Sequence, residues 1–164
     1  MNRRRFLASA AGFATIAVIG RFSVVGTVSH AEEKFEITKT AEEWRAILKP
    51  EVFAVLREED TERPFSSALL EEHRKGVFHC AGCDLAAFSS ETKYESGTGW
   101  PSFWQPLENA VGLKEDNSIF ATRTEVHCRR CGGHFGHVFD DGPKPTGLRY
   151  CMNGLALAFK PAAA

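Results

Sequence analysis

The sequence predicts a mainly β fold, a small antiparallel β domain of two packed sheets preceded by short helices. Three observations carry that expectation. Short alternating runs of apolar and polar residues at 77–80, 119–122, 137–139 and 149–159 are separated by Gly, Pro, Asn and Asp, the pattern of half-buried strands joined by turns. Two stretches upstream carry helix start signals instead. The 164 residues, with 43% apolar side chains and 13 Phe, suit one hydrophobic core but not two.

Residues 1–31 stand outside that fold. Arg3, Arg4 and Arg5 precede Phe6-Leu7 and an apolar run to Gly20, and Ser29-His30-Ala31 offers the small residues that a signal peptidase reads. The segment is expected to be an export signal cut after Ala31, with paired arginines that resemble the twin-arginine class, so the protein is expected in the periplasm. The competing reading is a membrane anchor. Arg21 interrupts the apolar stretch before it reaches the roughly 20 residues of a spanning helix, so no stable insertion is expected after cleavage. Residues 32–164 then form a single domain, expected to be a monomer.

Removing the signal changes the charge. Residues 1–31 hold four Arg and no acids, leaving 16 basic and 21 acidic side chains, a net of −5. That balance disfavours a general nucleic-acid binder, which must neutralise phosphates.

The mature chain opens with helices. Thr40 and Glu43 have capping-box spacing, and Trp44, Ile47 and Leu48 follow at helical spacing before Pro50. Pro50 suits the first turn of a second helix carrying Val52, Phe53, Val55 and Leu56. The two helices are expected to act as a lid or brace without chemistry of their own. After a loop at 61–65, a short helical piece is expected over 67–74, ending at Gly76, and the strands follow.

Five cysteines form two Cys-x-x-Cys pairs and a single. Cys80 and Cys83 make one pair, Cys128 and Cys131 the other, and two such knuckles supply the four tetrahedral thiolates that Zn²⁺ prefers. With 44 residues between the pairs, one zinc ion would staple two distant hairpins. Four cysteine ligands leave no open position, so the site is structural. Disulfides are the alternative in an oxidising compartment, but a disulfide within each pair would not link the hairpins.

Cys151 is the cysteine left over. On a strand, Arg149, Cys151 and Asn153 share a face by the two-residue period, with Leu155, Leu157 and Phe159 expected to continue it inward. A nearby Arg or protonated His lowers a thiol's pKa and raises its thiolate fraction, as a nucleophilic or redox cysteine requires. His134 and His137 are the candidate neighbours. Three residues apart on a regular strand they would face opposite sides, but Gly133 and Gly136 could bend the backbone to bring both toward Cys151. A buried structural cysteine beside two histidines satisfied elsewhere is the alternative, and residue chemistry alone leaves both open.

Three longer strings bear on that choice. Residues 96–103 (Ser-Gly-Thr-Gly-Trp-Pro-Ser-Phe), 134–143 (His-Phe-Gly-His-Val-Phe-Asp-Asp-Gly-Pro) and 145–153 (Pro-Thr-Gly-Leu-Arg-Tyr-Cys-Met-Asn) resemble the signature blocks of the B-type peptide methionine-R-sulfoxide reductases. Residues 61–67 and both cysteine pairs resemble that family too, so the likeness runs over about 40–159. It implies an enzyme reducing the R epimer of methionine sulfoxide in proteins or peptides, with Cys151 as nucleophile passing through a sulfenic acid. It implies His137 as the acid or oxyanion-stabilising group, His134 as its companion and Asn153 as an active-site amide. Trp100 would receive the sulfoxide's methyl group; outside its block it would be read as an ordinary half-buried aromatic.

Two departures stand out. Thr98 occupies the position, two before the tryptophan, where many members carry a resolving cysteine, so an external thioredoxin-like or small thiol is expected to reduce the sulfenic acid. Gly154 replaces the serine that usually follows the asparagine. Two other function classes fit the residues: a zinc-stapled protein-binding module with Cys151 incidental, and a thiol peroxidase.

Overall fold

The computed structural model describes residues 34–117 and 122–163. The expected export signal lies outside the described residues, as do residues 119–121 of the expected strand at 119–122. Helix α1 (Ala41–Ile47) starts at the expected capping box: Glu43 N–H donates to Thr40 Oγ1 at 3.2 Å, and Thr40 N–H donates to the Glu43 carboxylate at 2.8 Å. It buries Trp44 but leaves Ile47 59% exposed. Helix α2 (Pro50–Glu58) opens on its proline, buries Phe53, Val55 and Leu56, and ends at Glu59 in the left-handed conformation. No helix among the described residues is long and apolar enough to cross a membrane.

Among the described residues nine strands follow: β1 (Gly76–Cys80), β2 (Ala86–Ser89), β3 (Lys93–Tyr94), β4 (Ser102–Phe103), β5 (Val111–Asp116), β6 (Arg123–Cys128), β7 (His134–Phe139), β8 (Arg149–Met152) and β9 (Leu157–Pro161). They form two antiparallel sheets, ordered β2-β1-β9 and β3-β4-β8-β7-β6-β5. The core lies between them. Phe78 and Phe88 of the small sheet meet Phe103 of the large sheet, with ring centroids 5.0 and 4.4 Å apart, and Phe88 also reaches Phe135. All four are fully buried. The expected class, mainly β with two packed sheets and short leading helices, is the one observed.

Some elements differ from expectation. The piece at 67–74 is only a 3₁₀ turn over Ala68–Glu71, and the strand expected at 137–139 begins at His134. Residues 149–159 are two strands in different sheets, joined by a 3₁₀ turn over Gly154–Ala156. The cause is local: Asn153 N–H donates to the Phe135 carbonyl at 2.7 Å, and the N–H groups of Gly154 and Leu155 turn to the Glu62 carboxylate. With those donors taken from the ladder, the strand ends. Leu155 therefore lies in the turn, off any strand face, and the expected inward row reaching Phe159 does not form.

Candidate active site

The register of the large sheet aligns one row across all six strands. Tyr94, Ser102, Cys151, His137, Glu125 and Lys114 stand opposite one another from β3 to β5, and opposed residues share a face. Cys151 is thus flanked by Ser102 and His137. The next row, Phe103, Tyr150 and Val138, faces the other way, toward the core.

A bulge brings the second histidine to this face. Val126 is opposite Gly136 and His127 is opposite His134, so Phe135 has no opposite number on β6. The extra residue puts Phe135 in the core and turns His134 to the side of His137, their rings 5.4 Å apart and edge-on. Gly136, at φ +152°, makes this possible: a Cβ there would strike the Cys151 carbonyl oxygen and come within 3.1 Å of Met152 Cα.

Each histidine is held by a carboxylate. His134 Nδ1 donates to Glu125 at 2.8 Å, and His137 Nε2 donates to Asp116 at 2.8 Å. Asp116 also accepts from Arg123 Nη2 at 2.6 Å, and Lys114 Nζ lies 3.6 Å from Glu125. A carboxylate only accepts, so each bond settles which ring nitrogen carries the proton. His137 is left with Nδ1 for any further exchange. Burial pushes His137 below its ordinary pKa, with the Arg123 charge adding to it, against the opposing pull of Asp116. Burial raises the Glu125 carboxyl, but the His134 hydrogen bond and the His134 and Lys114 charges outweigh it and hold it low.

Beside Cys151 and His137 opens a cleft of about 120 Å³, walled also by Trp100, Thr61, Phe139 and Asn153. Trp100 is half-buried, its Nε1 donating to the Glu62 carbonyl at 3.0 Å. Both ends of the Asn153 amide are held: Oδ1 accepts from Glu62 N–H at 3.0 Å and Nδ2 donates to the Phe135 carbonyl at 3.2 Å. Glu62 is therefore the hub of this end of the cleft, buried, with its carboxyl pushed up by that burial. Thr98 Oγ1 lies 3.7 Å from Cys151 Sγ.

The four remaining cysteines converge at the other end of the sheets. Their sulfurs all lie within 4.8 Å of one another, with Cys80 to Cys131 at 3.8 Å and Cys83 to Cys128 at 3.4 Å, and none is in a disulfide. A tetrahedral ion with metal–sulfur bonds near 2.3 Å separates its sulfurs by about 3.8 Å, so the cluster fits one. The knuckles share one build. In each, the residue after the second cysteine, Asp84 or Gly132, has positive φ and returns its N–H to the first cysteine's carbonyl. Leu56 of α2 lies against Gly82 and Gly133, and Arg57 donates to the Cys131 carbonyl at 2.9 Å. The helices are the expected brace.

Sequence reasoning named the cysteines, both histidines, Asn153 and Trp100, all of which fall in these two clusters. It missed Glu62, Asp116, Arg123 and Glu125. The two-residue alternation Arg123, Glu125, His127 was the available signal for the last two, obscured because the strand was sought at 119–122. Glu62 sat in a loop, where no periodicity marks a residue.

The SelR domain matches residues 48–161, from just before α2 to the end of β9. The chain belongs to the SelR family. Curated relatives carry the name peptide methionine sulfoxide reductase MsrB. The protein from Methanosarcina barkeri is 55% identical over 125 residues, covering 76% of this chain and 88% of that one. Those from Leptospira interrogans and Pseudomonas putida W619 are 50% and 53% identical over 127 residues, covering 77% of this chain and 97% and 96% of theirs. The SelR match spans both clusters, all four cluster cysteines and the whole Cys151 site.

Proposed function

We propose that this protein reduces the R epimer of methionine sulfoxide in proteins or peptides to methionine. The observation that carries this is Cys151 set directly opposite His137 at the wall of the Trp100 cleft. The Cys151 thiolate attacks the sulfoxide sulfur, forming a sulfur–sulfur bond as the protonated oxygen leaves as water; water then attacks the Cys151 sulfur, the sulfur–sulfur bond breaks, methionine leaves reduced, and Cys151 keeps the incoming hydroxyl as a sulfenic acid. The oxygen is a poor leaving group until its growing charge is met by a proton or a strong donor, the role assigned to His137. Asp116 orients His137, while Glu125 orients His134 beside it. Trp100 takes the methyl group, an apolar face that also favours the positive charge building on sulfur. Asn153 serves the site by fixing the end of β8.

The four-cysteine cluster is assigned one structural Zn²⁺, supported by its sulfur spacing and closed ligand set. An external thioredoxin-like or small thiol restores Cys151, because Thr98 has no thiol to offer. The twin-arginine-like segment supports a periplasmic location, testable by fractionation. The enzymatic test supplies separated R and S epimers of a peptide methionine sulfoxide with dithiothreitol to the metal-loaded protein. Turnover of R alone, lost in Cys151→Ser, is expected. Turnover of neither epimer by folded protein refutes the reading. Trp100→Ala is expected to lose sulfoxide turnover; if it retains it, the methyl-binding assignment fails.

A further inference from the structure

The loop that holds Trp100 carries an aromatic ring of its own. Residues 61–66 are fixed at almost every step. Thr61 lines the cleft beside Cys151, and Glu62 accepts the Trp100 indole N–H on its backbone carbonyl at 3.0 Å while its own N–H donates to Asn153 at 3.0 Å. Ser66 folds back on the loop, its hydroxyl donating to the Arg63 carbonyl at 2.6 Å. Between these anchors, Phe65 N–H donates to the Gly99 carbonyl at 2.8 Å. The loop therefore grips the tryptophan twice, at its indole nitrogen and at the residue before it.

Phe65 is 72% exposed, the most exposed of the large hydrophobic residues described. Its ring is nevertheless seated. It lies on the Gly99 backbone, where a Cβ would come within 3.0 Å of two of its carbons, so only a glycine leaves room for it there. Phe65 itself sits at φ +62°, a left-handed conformation that glycine adopts freely and a bulky residue does not. Folding gains little from a ring so exposed, and the backbone conformation opposes it. A rigidly presented, uncovered aromatic at a strained position beside a binding cleft is accounted for by a ligand that covers it.

The size of the cleft identifies that ligand. At about 120 Å³ it is well below the roughly 300–1,000 Å³ of a site that encloses a whole small molecule, so it takes one side chain and leaves the rest of a peptide on its rim. Consecutive residues of an extended peptide advance by about 3.3–3.8 Å. A neighbour one or two places from the side chain against Trp100 is thus within reach of the residue next to Trp100 in the wall. That residue is Gly99, which the Phe65 ring covers.

From this we infer that Phe65 is a specificity-determining residue, stacking on an aromatic or large apolar side chain one or two positions from the oxidised methionine of a peptide substrate. The inference rests on the sulfoxide-reductase reading, which puts the oxidised side chain against Trp100. It extends the site from one residue of the substrate to two.

The test compares neighbours. Metal-loaded protein with dithiothreitol is given a capped pentapeptide with R-methionine sulfoxide at the centre of four glycines, and four versions in which one glycine is replaced by phenylalanine. At one or more positions phenylalanine is expected to raise kcat/KM by about five- to tenfold over the all-glycine peptide, the worth of one aromatic pair, through KM rather than kcat. Phe65→Ala and Phe65→Gly should each bring that ratio to about one, and Phe65→Leu, still apolar, should keep part of it. Unfolding midpoints are measured alongside, and Phe65→Gly, suited to the left-handed backbone, is expected to fold as the parent does. A ratio near one at all four positions in the parent overturns the inference, as does a ratio that neither Phe65→Ala nor Phe65→Gly lowers. Loss of the fold in both variants assigns the ring to structure and overturns it too. Failure to reduce any of the peptides, the all-glycine one included, overturns the functional reading, and this inference with it.

Discussion

Replacing Gly154 by serine, the residue more usual after this asparagine in the family it resembles, should damage this protein. A Cβ at 154 would fall on the Ser67 hydroxyl, 2.7 Å from Ser67 Cβ and 3.2 Å from Glu62 Oε1. Rotating Ser67 does not clear the space, because its Cβ is also in the way and its Oγ accepts from Leu69 N–H at 3.2 Å. Overpacking of this kind costs about 1–3 kcal/mol. Ser67→Gly removes both obstructing atoms at a cost of a few tenths of a kcal/mol at a turn cap. Gly154→Ser alone should therefore lower the urea midpoint by about 0.5–2 M at the slopes usual for small proteins. The double variant should sit close to Ser67→Gly, a favourable coupling of about 1–3 kcal/mol. The assay is equilibrium unfolding of metal-loaded protein across all four members of the cycle. A Gly154→Ser protein as stable as the parent, or losses that simply add, refutes the steric account.

Cys83→Ser should lose bound metal and stability together, measured as metal content and unfolding midpoint; a well-folded, metal-free variant would sink the structural-zinc assignment. Glu62→Ala leaves the N–H groups of Gly154 and Leu155 without their acceptor and should cost about 2–5 kcal/mol in unfolding. Trp100 keeps its bond to the backbone carbonyl of residue 62 in that variant, so activity should fall less steeply than stability. Asp116→Asn removes the influence that raises His137, leaving burial and Arg123 to depress it further; the fall in sulfoxide turnover with rising pH should move to lower pH, and an unmoved profile counts against His137 as the acid. In the parent, His137 already titrates below its ordinary 6.5. Its contribution to stability is therefore complete above about pH 6.5 and lost as the pH falls through its folded value, a dependence that His137→Gln should flatten.

The parts of this molecule legible in the sequence are those with short-range signals. The capping box at Thr40 and Glu43, the proline opening α2 and the two cysteine knuckles all depend on spacings of three or four residues, and each appears as read. The histidine pair needed a longer step. Gly136 signalled an irregular strand, but the outcome, Phe135 inward and both histidines outward, depends on register against β6. Strands β2 to β6 were not assigned, because two-residue pieces such as β3 and β4 show no period and the edge strand β5 buries no residue fully. The carboxylates behind the histidines vanished with them. Residues 149–159 misled for the opposite reason: the alternation is continuous, but Glu62, 92 residues before Gly154, captures the backbone donors after Asn153 and sends the chain into the other sheet.

That crossing ties the two clusters together. Cys151 lies on β8, and within six residues the chain has passed the Gly154–Ala156 turn and entered β9, where Leu157 pairs with Cys80. Ala81 N–H, in the first knuckle, donates to the Ala156 carbonyl at 2.9 Å in that same turn. Helix α2 closes the circuit by packing on both knuckles through Leu56 and reaching the turn itself. An ion held by four cysteines has no open position and performs no chemistry on the sulfoxide. Bound there, it would lock the knuckle that holds the turn, and the turn's N–H groups hold Glu62, whose backbone carbonyl orients Trp100. The crossing segment thus makes the cleft's shape depend on the cysteine cluster. A cluster substitution that leaves the fold standing should accordingly act on the Trp100 wall before it acts on Cys151, whose place beside His137 and Ser102 is secured by the large sheet.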